Sequence, residues 1–404
     1  MKITLDRSWF LGYNLGIGNE TRKEVNFMNQ NQQKPTAGGL QTGSPSFAMA
    51  LIATALFVCI LVPVLLSCAL NPSPKLIPYT GGALAAPNGD SDSSDPDFVP
   101  VFAPSSVVVK PYTTSNTAKA VIDSQYGVLI DAETGEILAQ KSSDVRFSPA
   151  SMTKVMTLIV ACENLSQEDL ERKIPFSEEI HEYVTSGNYK GTELGLPVET
   201  ASGLTCLGDR YYVKDMLYGI GIKSAAACSY MIVKEICDSE TEFVEMMNQK
   251  AAELGLKNTV FDNAVGFDSQ GNQTTAEDMA TIMAYAMQSD LIADILAPRT
   301  KDYGIKAHYT DDYGVEQTYN VWFESSFVSR QEKYPQFNLT TARLDATKTG
   351  YTNESFIVCM ATSKQTGKQY ILVLGNRETS HTTIAEKFKA TMMDIESMYN
   401  QYVK

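Results

Sequence analysis

The sequence is short of histidine and of positive charge, and its cysteines follow no paired spacing. Each shortage removes a class of function. Three histidines, His181, His308 and His381, are scattered along 404 residues, and no His/Cys/Asp/Glu cluster has zinc spacing. No metal and no cofactor are expected. Lys and Arg number 33 against 47 Asp and Glu, a net charge of −14. The basic face that nucleic acid requires is missing, so no nucleic-acid partner is expected. Of the seven cysteines, Cys59 and Cys68 lie in an apolar N-terminal run. Cys162, Cys228 and Cys237 fall in apolar helical stretches and Cys359 in a strand, as small buried residues do. Cys206 sits in a loop where it could pair, but five domain cysteines cannot all pair within one chain. A disulfide framework is not expected.

Charge is absent altogether from Phe47 to Leu70. At about 1.5 Å per residue this run is long enough to span a bilayer. Lys2, Arg7, Arg22, Lys23 and Lys34 precede it against Asp6, Glu20 and Glu24. That small positive excess predicts a cytoplasmic, disordered segment over 1–46 and the remainder outside. A cleaved signal peptide has a shorter hydrophobic core. Leu65-Leu66-Ser67-Cys68 also resembles a bacterial lipoprotein box, which would lipidate Cys68. Residues 47–70 are therefore read as a transmembrane anchor or a lipoprotein signal, and Met28 is an alternative start. Residues 71–117 read as a disordered linker: eight of the 16 prolines fall within 71–111, beside the acidic run Asp90-Ser91-Asp92-Ser93-Ser94-Asp95-Pro96-Asp97. As a flexible coil this segment would span about 35 Å. Apolar content of 44% supports a large core in the remainder, 118–404.

Within that remainder, Ser151-Met152-Thr153-Lys154 places a serine at the start of an apolar helix and a lysine three residues on. Positions i and i+3 share a helix face, so hydroxyl and amine can meet. A neutral amine can take the serine proton and make it a nucleophile. Helix-start amides, Ser151's own included, can face an oxyanion. The pattern is suited to acyl transfer. Alone it is weak, since a chain of this length holds roughly one or two such tetrads by chance. The bland reading is a capping serine with a surface lysine. Two companions add weight. Lys348-Thr349-Gly350-Tyr351 precedes a hairpin whose strands run near 355–361 and 369–374, with Gln365-Thr366-Gly367 as the turn. Gly350 would let a ligand approach the strand backbone, and a second lysine would help keep Lys154 neutral. The other companion is Gly208-Asp209-Arg210-Tyr211-Tyr212 leading through Met216-Leu217-Tyr218-Gly219-Ile220 into Lys223-Ser224-Ala225-Ala226.

In this order, the three segments resemble those of the D-alanyl-D-alanine carboxypeptidases, the low-molecular-mass penicillin-binding proteins. Gly127–Leu138 resembles the family's first hairpin, and Glu253-Leu254-Gly255-Leu256-Lys257-Asn258-Thr259 and Thr275–Ala280 its mid-domain segments. The resemblance covers about 118–398. It implies an α/β fold of the β-lactamase/transpeptidase type: an antiparallel sheet flanked by helices plus a mostly helical lobe, with the site in the cleft between. Hairpins near 126–141 and 355–374 should share the sheet, the amphipathic segment Thr383–Tyr402 should pack on it, and Ser151 to about Pro298 should form the helical lobe. The chain after Lys348 is expected to be too short for the C-terminal β-domain some members carry.

The resemblance implies roles as well. Ser151 would attack the carbonyl between the two terminal D-alanines of a peptidoglycan stem peptide, with Lys154 as base and Ser224 relaying a proton to the leaving D-alanine. Lys348 and Thr349 would receive the terminal carboxylate, and the amides of Ser151 and Tyr351 would hold the oxyanion. β-Lactam antibiotics would acylate the same serine. Arg377 is a candidate for the family's carboxylate-binding arginine. One departure stands out. The family's middle motif is Ser-x-Asn, and Ser224-Ala225-Ala226 lacks the asparagine. Ser186-Gly187-Asn188 has the right letters but is followed by a polar, turn-like run rather than lying between apolar helices. Two alternatives follow: a domain that binds wall peptides or penicillin with little or no turnover, and a class A β-lactamase using Glu253.

Overall fold

The computed structural model describes residues 98–104, 108–185, 207–267, 271–311, 313–377 and 383–404. The run 47–70, the Ser186-Gly187-Asn188 triplet, Cys206 and His381 lie outside the described residues. Among the described residues no helix is long and apolar enough to cross a membrane.

The strands are β1 (Ala118–Lys119), β2 (Ser124–Asp131), β3 (Ile137–Lys141), β4 (Lys173–Pro175), β5 (Arg210–Tyr212), β6 (Tyr303–Thr310), β7 (Glu316–Phe323), β8 (Ala342–Tyr351), β9 (Ser355–Ser363) and β10 (Gln369–Arg377). Helices that bear on the site are α1 (Lys154–Glu163), α2 (Val213–Tyr218), α3 (Ala226–Ile236), α4 (Glu240–Glu253), α5 (Ala276–Ala286), α6 (Ser326–Gln331) and α7 (Ile384–Tyr402). One six-stranded sheet has the order β1-β3-β2-β10-β9-β8. The two expected hairpins meet at its centre, where Val373 of β10 pairs with Val128 of β2 on one side and Val358 of β9 on the other. All its pairings are antiparallel except β1 on β3.

Both faces of this sheet are covered, which is why its strands read as continuous apolar runs rather than clean alternation. Val128, Ile130, Val358, Met360, Ile371 and Val373 face the helical lobe and share one core with α1, α3 and α5. Leu129, Ile357, Cys359, Ala361, Leu372 and Leu374 face α7. That helix presents Met392, Ile395, Met398 and Tyr399 to the sheet at helical spacing. Full burial of each such side chain contributes about 1.5–3 kcal/mol. A capping box of Thr383 and Glu386 starts α7. Asp394 ties it to β2 by accepting from the Asp123 and Ser124 amides at 3.0 and 2.8 Å and from the Ser124 hydroxyl at 2.6 Å.

Two features depart from expectation. The helical lobe carries a second sheet, β4-β5-β6-β7. Its hairpin, β6 with β7, was hidden because β7 exposes Glu316, Gln317, Thr318, Asn320 and Trp322 and buries only Val321 and Phe323. Of the segment 71–117, expected to be a disordered linker, residues 98–104 and 108–117 are described, and some of them pack on the domain. Phe102 is buried in the main core, and its amide donates to the Cys162 carbonyl at 2.9 Å. Tyr112 exchanges backbone bonds with Gly135 and Ile137. Proline-rich composition, averaged over the segment, concealed the few apolar residues that dock its end.

Candidate active site

Ser151 lies in a 3₁₀ turn, Ala150–Thr153, directly before α1. Side chains at i and i+3 eclipse in such a turn, which sets Lys154 over Ser151. The Lys154 Nζ donates to Ser151 Oγ at 3.1 Å and to the Val265 carbonyl at 2.5 Å, and Lys154 is 2% exposed. The bland reading of a surface lysine is therefore excluded. The turn is clamped from two sides. Gly266, at φ +72°, lies so close that a Cβ would stand 2.0 Å from the Ala150 carbonyl. A Cβ on Gly350 would meet the Pro149 carbonyl at 3.0 Å and the Ala150 Cβ at 3.2 Å. In the direction of its missing side chain Gly350 thus makes room for the turn that carries Ser151. Ala150 itself adopts φ +49°, a left-handed conformation that strains an L-residue by about 1–3 kcal/mol.

A second lysine–serine pair faces the first. A π-helical turn, Gly219–Lys223, ends at Ser224, which adopts φ +62° before α3 begins. Lys348 of β8 is fully buried and donates to Ser224 Oγ at 2.9 Å and to the Thr349 carbonyl at 2.8 Å. The Thr349 and Ser326 hydroxyls lie 2.9 Å apart. π-Turns and left-handed non-glycine residues gather at functional sites, and both occur here.

Between the pairs lies a cavity of about 480 Å³. Ser151, Lys154, Ser224, Thr349 and Tyr351 line it, as does Ala226. Lys348 and Gly350 stand behind this wall: Lys348 reaches the cavity through Ser224, so its expected contact with a ligand carboxylate is not direct in this geometry. Ala226 is 1% exposed at the first position of α3 and presents a methyl where a side-chain amide was anticipated by the motif. Glu253 ends α4 as a half-exposed partner of Lys250 at 2.6 Å and does not line the cavity. Arg377 pairs with Ser124 in the sheet ladder.

Sequence reasoning missed three contributors. The loop Val265-Gly266-Phe267 forms part of the lining and supplies the carbonyl that Lys154 meets. It is held by Asn263 Oδ1, which accepts from the Gly266 and Phe267 amides at 2.8 and 2.9 Å. Asn263 followed by Gly266 was a turn signal available for reading. Phe388 of α7 lines the cavity and packs edge-on against Tyr351. Arg330 of α6 also borders it, and no local pattern marked that residue.

Comparison with known proteins gives the family and the fold. A family model described as D-alanyl-D-alanine carboxypeptidase matches residues 113–379. The chain is 31% identical over 301 residues to the D-alanyl-D-alanine carboxypeptidase DacF of Bacillus subtilis, covering 74% of this chain and 68% of that protein. It is 33% identical over 163 residues to the D-alanyl-D-alanine carboxypeptidase DacA of Escherichia coli, covering 40% of this chain and 38% of that protein. The crystal structure of the Streptomyces K15 DD-transpeptidase superposes with a TM-score of 0.53 at 25% identity, covering 70% of this chain and 99% of the other. The fold is accordingly of the penicillin-binding, transpeptidase-like type. With its serine and lysine stacked at the head of α1 and the family model matching from 113 to 379, the chain belongs to the D-alanyl-D-alanine carboxypeptidases, a family of serine-type hydrolases.

Proposed function

We propose that this protein removes the terminal D-alanine from peptidoglycan stem peptides through an acyl-enzyme on Ser151. The observation that carries the reading is the contact of the buried Lys154 amine with Ser151 Oγ at the wall of a cavity that also receives Ser224, Thr349 and Tyr351. Ser151 Oγ bonds to the carbonyl carbon of the penultimate D-alanine as its proton passes to Lys154. Burial works in favour of the neutral amine this step needs. The amides of Ser151 and Tyr351 hold the oxyanion, an interaction worth about 3–4 kcal/mol per donor. The C–N bond then breaks as the proton taken up by Lys154 reaches the departing D-alanine nitrogen by relay through Ser224, which gives one proton and receives one. Thr349, with Lys348 behind it, receives the terminal carboxylate. Water attacks the ester carbonyl as Lys154 takes its proton, the C–Oγ bond breaks, and Lys154 returns that proton to Ser151. β-Lactams are expected to acylate the same oxygen. The test is release of D-alanine from a synthetic pentapeptide: release that depends on Ser151 supports the reading, and its absence at high enzyme concentration removes it.

A second reading is favoured by one residue. Ala226 lines the cavity with a methyl group, so the domain would bind wall peptides or penicillin with little turnover. Covalent penicillin labelling without D-alanine release would select it. In either case the domain acts outside the cell, tethered by 47–70 as a spanning anchor or by lipid on Cys68. Mass spectrometry of the mature chain separates the two: a lipid-bearing N-terminus at Cys68, or peptides recovered from 1–46.

A further inference from the structure

A guanidinium stands behind the strand that carries Lys348 to Tyr351. Arg330 is 3% exposed, and its Nη2 donates to the Gly350 carbonyl at 2.6 Å. Its Nη1 donates to the Phe356 carbonyl at 2.8 Å and to Ser355 Oγ at 3.0 Å. The Phe388 ring lies 4.4 Å from it. Among the described residues, every hydrogen-bond acceptor it meets is a neutral oxygen. Burial pushes its pKa down to about 9. With no carboxylate beside it among the described residues, this buried guanidinium at the cavity border is held by neutral oxygens and an aromatic face alone, an arrangement that costs folding free energy.

The identity of one acceptor suggests a use. The Gly350 carbonyl and the Tyr351 N–H belong to the same planar trans peptide unit, so they point in opposite directions. A charge-assisted bond to that carbonyl draws electron density through the amide and makes the N–H at its other end a stronger donor. Gly350 and Phe356 are also register partners across β8 and β9. One fork bridging both carbonyls fixes the orientation of that unit.

We infer that Arg330 is a positioning residue: it polarises and orients the Gly350–Tyr351 peptide so that the Tyr351 amide is a strengthened oxyanion donor. This rests on the proposal that the Tyr351 amide faces the oxyanion. Arg330 acts through the peptide and need not touch the substrate.

The experiment uses the full chain with Arg330→Met and Arg330→Lys. Penicillin acylation is resolved into a non-covalent dissociation constant and an acylation rate. A peptide boronic acid lacking the terminal carboxylate supplies a tetrahedral adduct with an oxygen in the oxyanion position. Arg330→Met should slow acylation by roughly tenfold, part of what loss of a whole donor removes. Boronate affinity should fall by a similar factor, with the penicillin dissociation constant unchanged. A loss confined to penicillin, with boronate binding intact, would mean direct contact with a carboxylate and overturns the inference. Equal loss in the dissociation constant and the rate would mean collapse of the wall, and also overturns it. If the methionine variant does not fold, Arg330→Lys carries the test through the infrared stretch of the Ser151 ester carbonyl. In wild type that stretch should lie below its value in the denatured acyl-enzyme, and Arg330→Lys should move it upward. A lowered stretch that Arg330→Lys leaves in place rejects this inference alone. A stretch that is not lowered in wild type rejects the oxyanion role of Tyr351 and this inference with it.

Discussion

Two lysines each hold a serine at the cavity, and they do so by different means. Lys154 is three residues from Ser151 and reaches it within one tight turn. Lys348 is 124 residues from Ser224 and reaches it only because the tertiary fold brings the end of β8 to the residue that follows the π-turn. The first pair is local geometry, present wherever this turn and helix form. The second is assembled by the tertiary fold and leaves Ser224 in a left-handed conformation. The contrast teaches a separation of labour. Damage to the Ser151 hydroxyl should strike chemistry alone. Damage to the second pair should strike chemistry and stability together.

The largest effect should come from the local pair. Ser151→Ala is expected to lose all covalent labelling by fluorescent penicillin, with an unchanged urea midpoint. Labelling that survives at the normal rate would falsify the nucleophile assignment. Lys154→Ala removes the proposed base, a role worth roughly 10²- to 10⁴-fold in rate. Acylation within a few-fold of wild type would require another base.

Next comes the assembled pair. Lys348→Ala leaves Ser224 Oγ and the Thr349 carbonyl without their lysine partner. Each buried group so exposed to loss is worth about 1–3 kcal/mol. The urea midpoint should therefore fall, along with a roughly tenfold to hundredfold slower acylation through the displaced Ser224. If Lys348→Ala slows acylation yet leaves the urea midpoint at the wild-type value, the contrast between the pairs is broken.

The same contrast explains what could be read from the sequence. Ser151 and Lys154 were legible because three residues fix their geometry. Both sheet hairpins and α7 were legible because their apolar runs and turns are local signals. Lys348 was found as part of a short motif, but its position behind the wall, bonded to Ser224, depends on contacts 124 residues apart. Arg330 was invisible because its meaning lies in which carbonyl it meets, Gly350, and no spacing encodes that. The β6–β7 hairpin was missed because its second strand is mostly solvent-facing, so burial had imposed little pattern on it. Gly350 was noticed, yet what approaches it is the Pro149–Ala150 backbone, a partner far away in sequence.

A smaller effect is expected at Ala226, beside the assembled pair. A side-chain amide there would offer a hydrogen bond to Lys154 or to the substrate carbonyl. Such bonds, to groups on which charge develops in the transition state, are worth about 1.5–3 kcal/mol, or roughly ten- to a hundredfold in rate. Ala226→Asn should raise penicillin acylation and D-alanine release by up to that factor, measured side by side with wild type. The side chain must fit at a position now 1% exposed, so a crystal structure of the variant should accompany the kinetics. If the amide is accommodated and both rates fall, the site already has a substitute for it and Ala226 is no defect.

The smallest effect separates the two lobes by pH. Asp215 of α2, in the helical lobe, has its pKa pushed up from 3.8 to about 6 by burial, with Lys214 opposing and Glu171 adding to the rise. Asp131, at the end of β2 in the sheet, is also raised by burial, but the Thr134 and Glu133 amides win and hold it below its ordinary value. The signs are opposite. For Asp215 the folded state binds the extra proton, so stability falls as pH rises from about 4 to about 6, and the penalty is fully present above that. For Asp131 the stabilisation is present above the unfolded value and is lost as pH falls through the lowered folded one. Asp215→Asn should therefore stabilise the protein at pH 7 by on the order of 1–2 kcal/mol and flatten the urea midpoint between pH 4 and 6. Asp131→Asn should destabilise it at pH 7, with the difference from wild type vanishing in acid. Parallel pH profiles for the two variants would show that the lobes do not differ in this way, and a midpoint for Asp215→Asn below wild type at pH 7 would mean that its carboxylate makes a favourable contact outweighing burial.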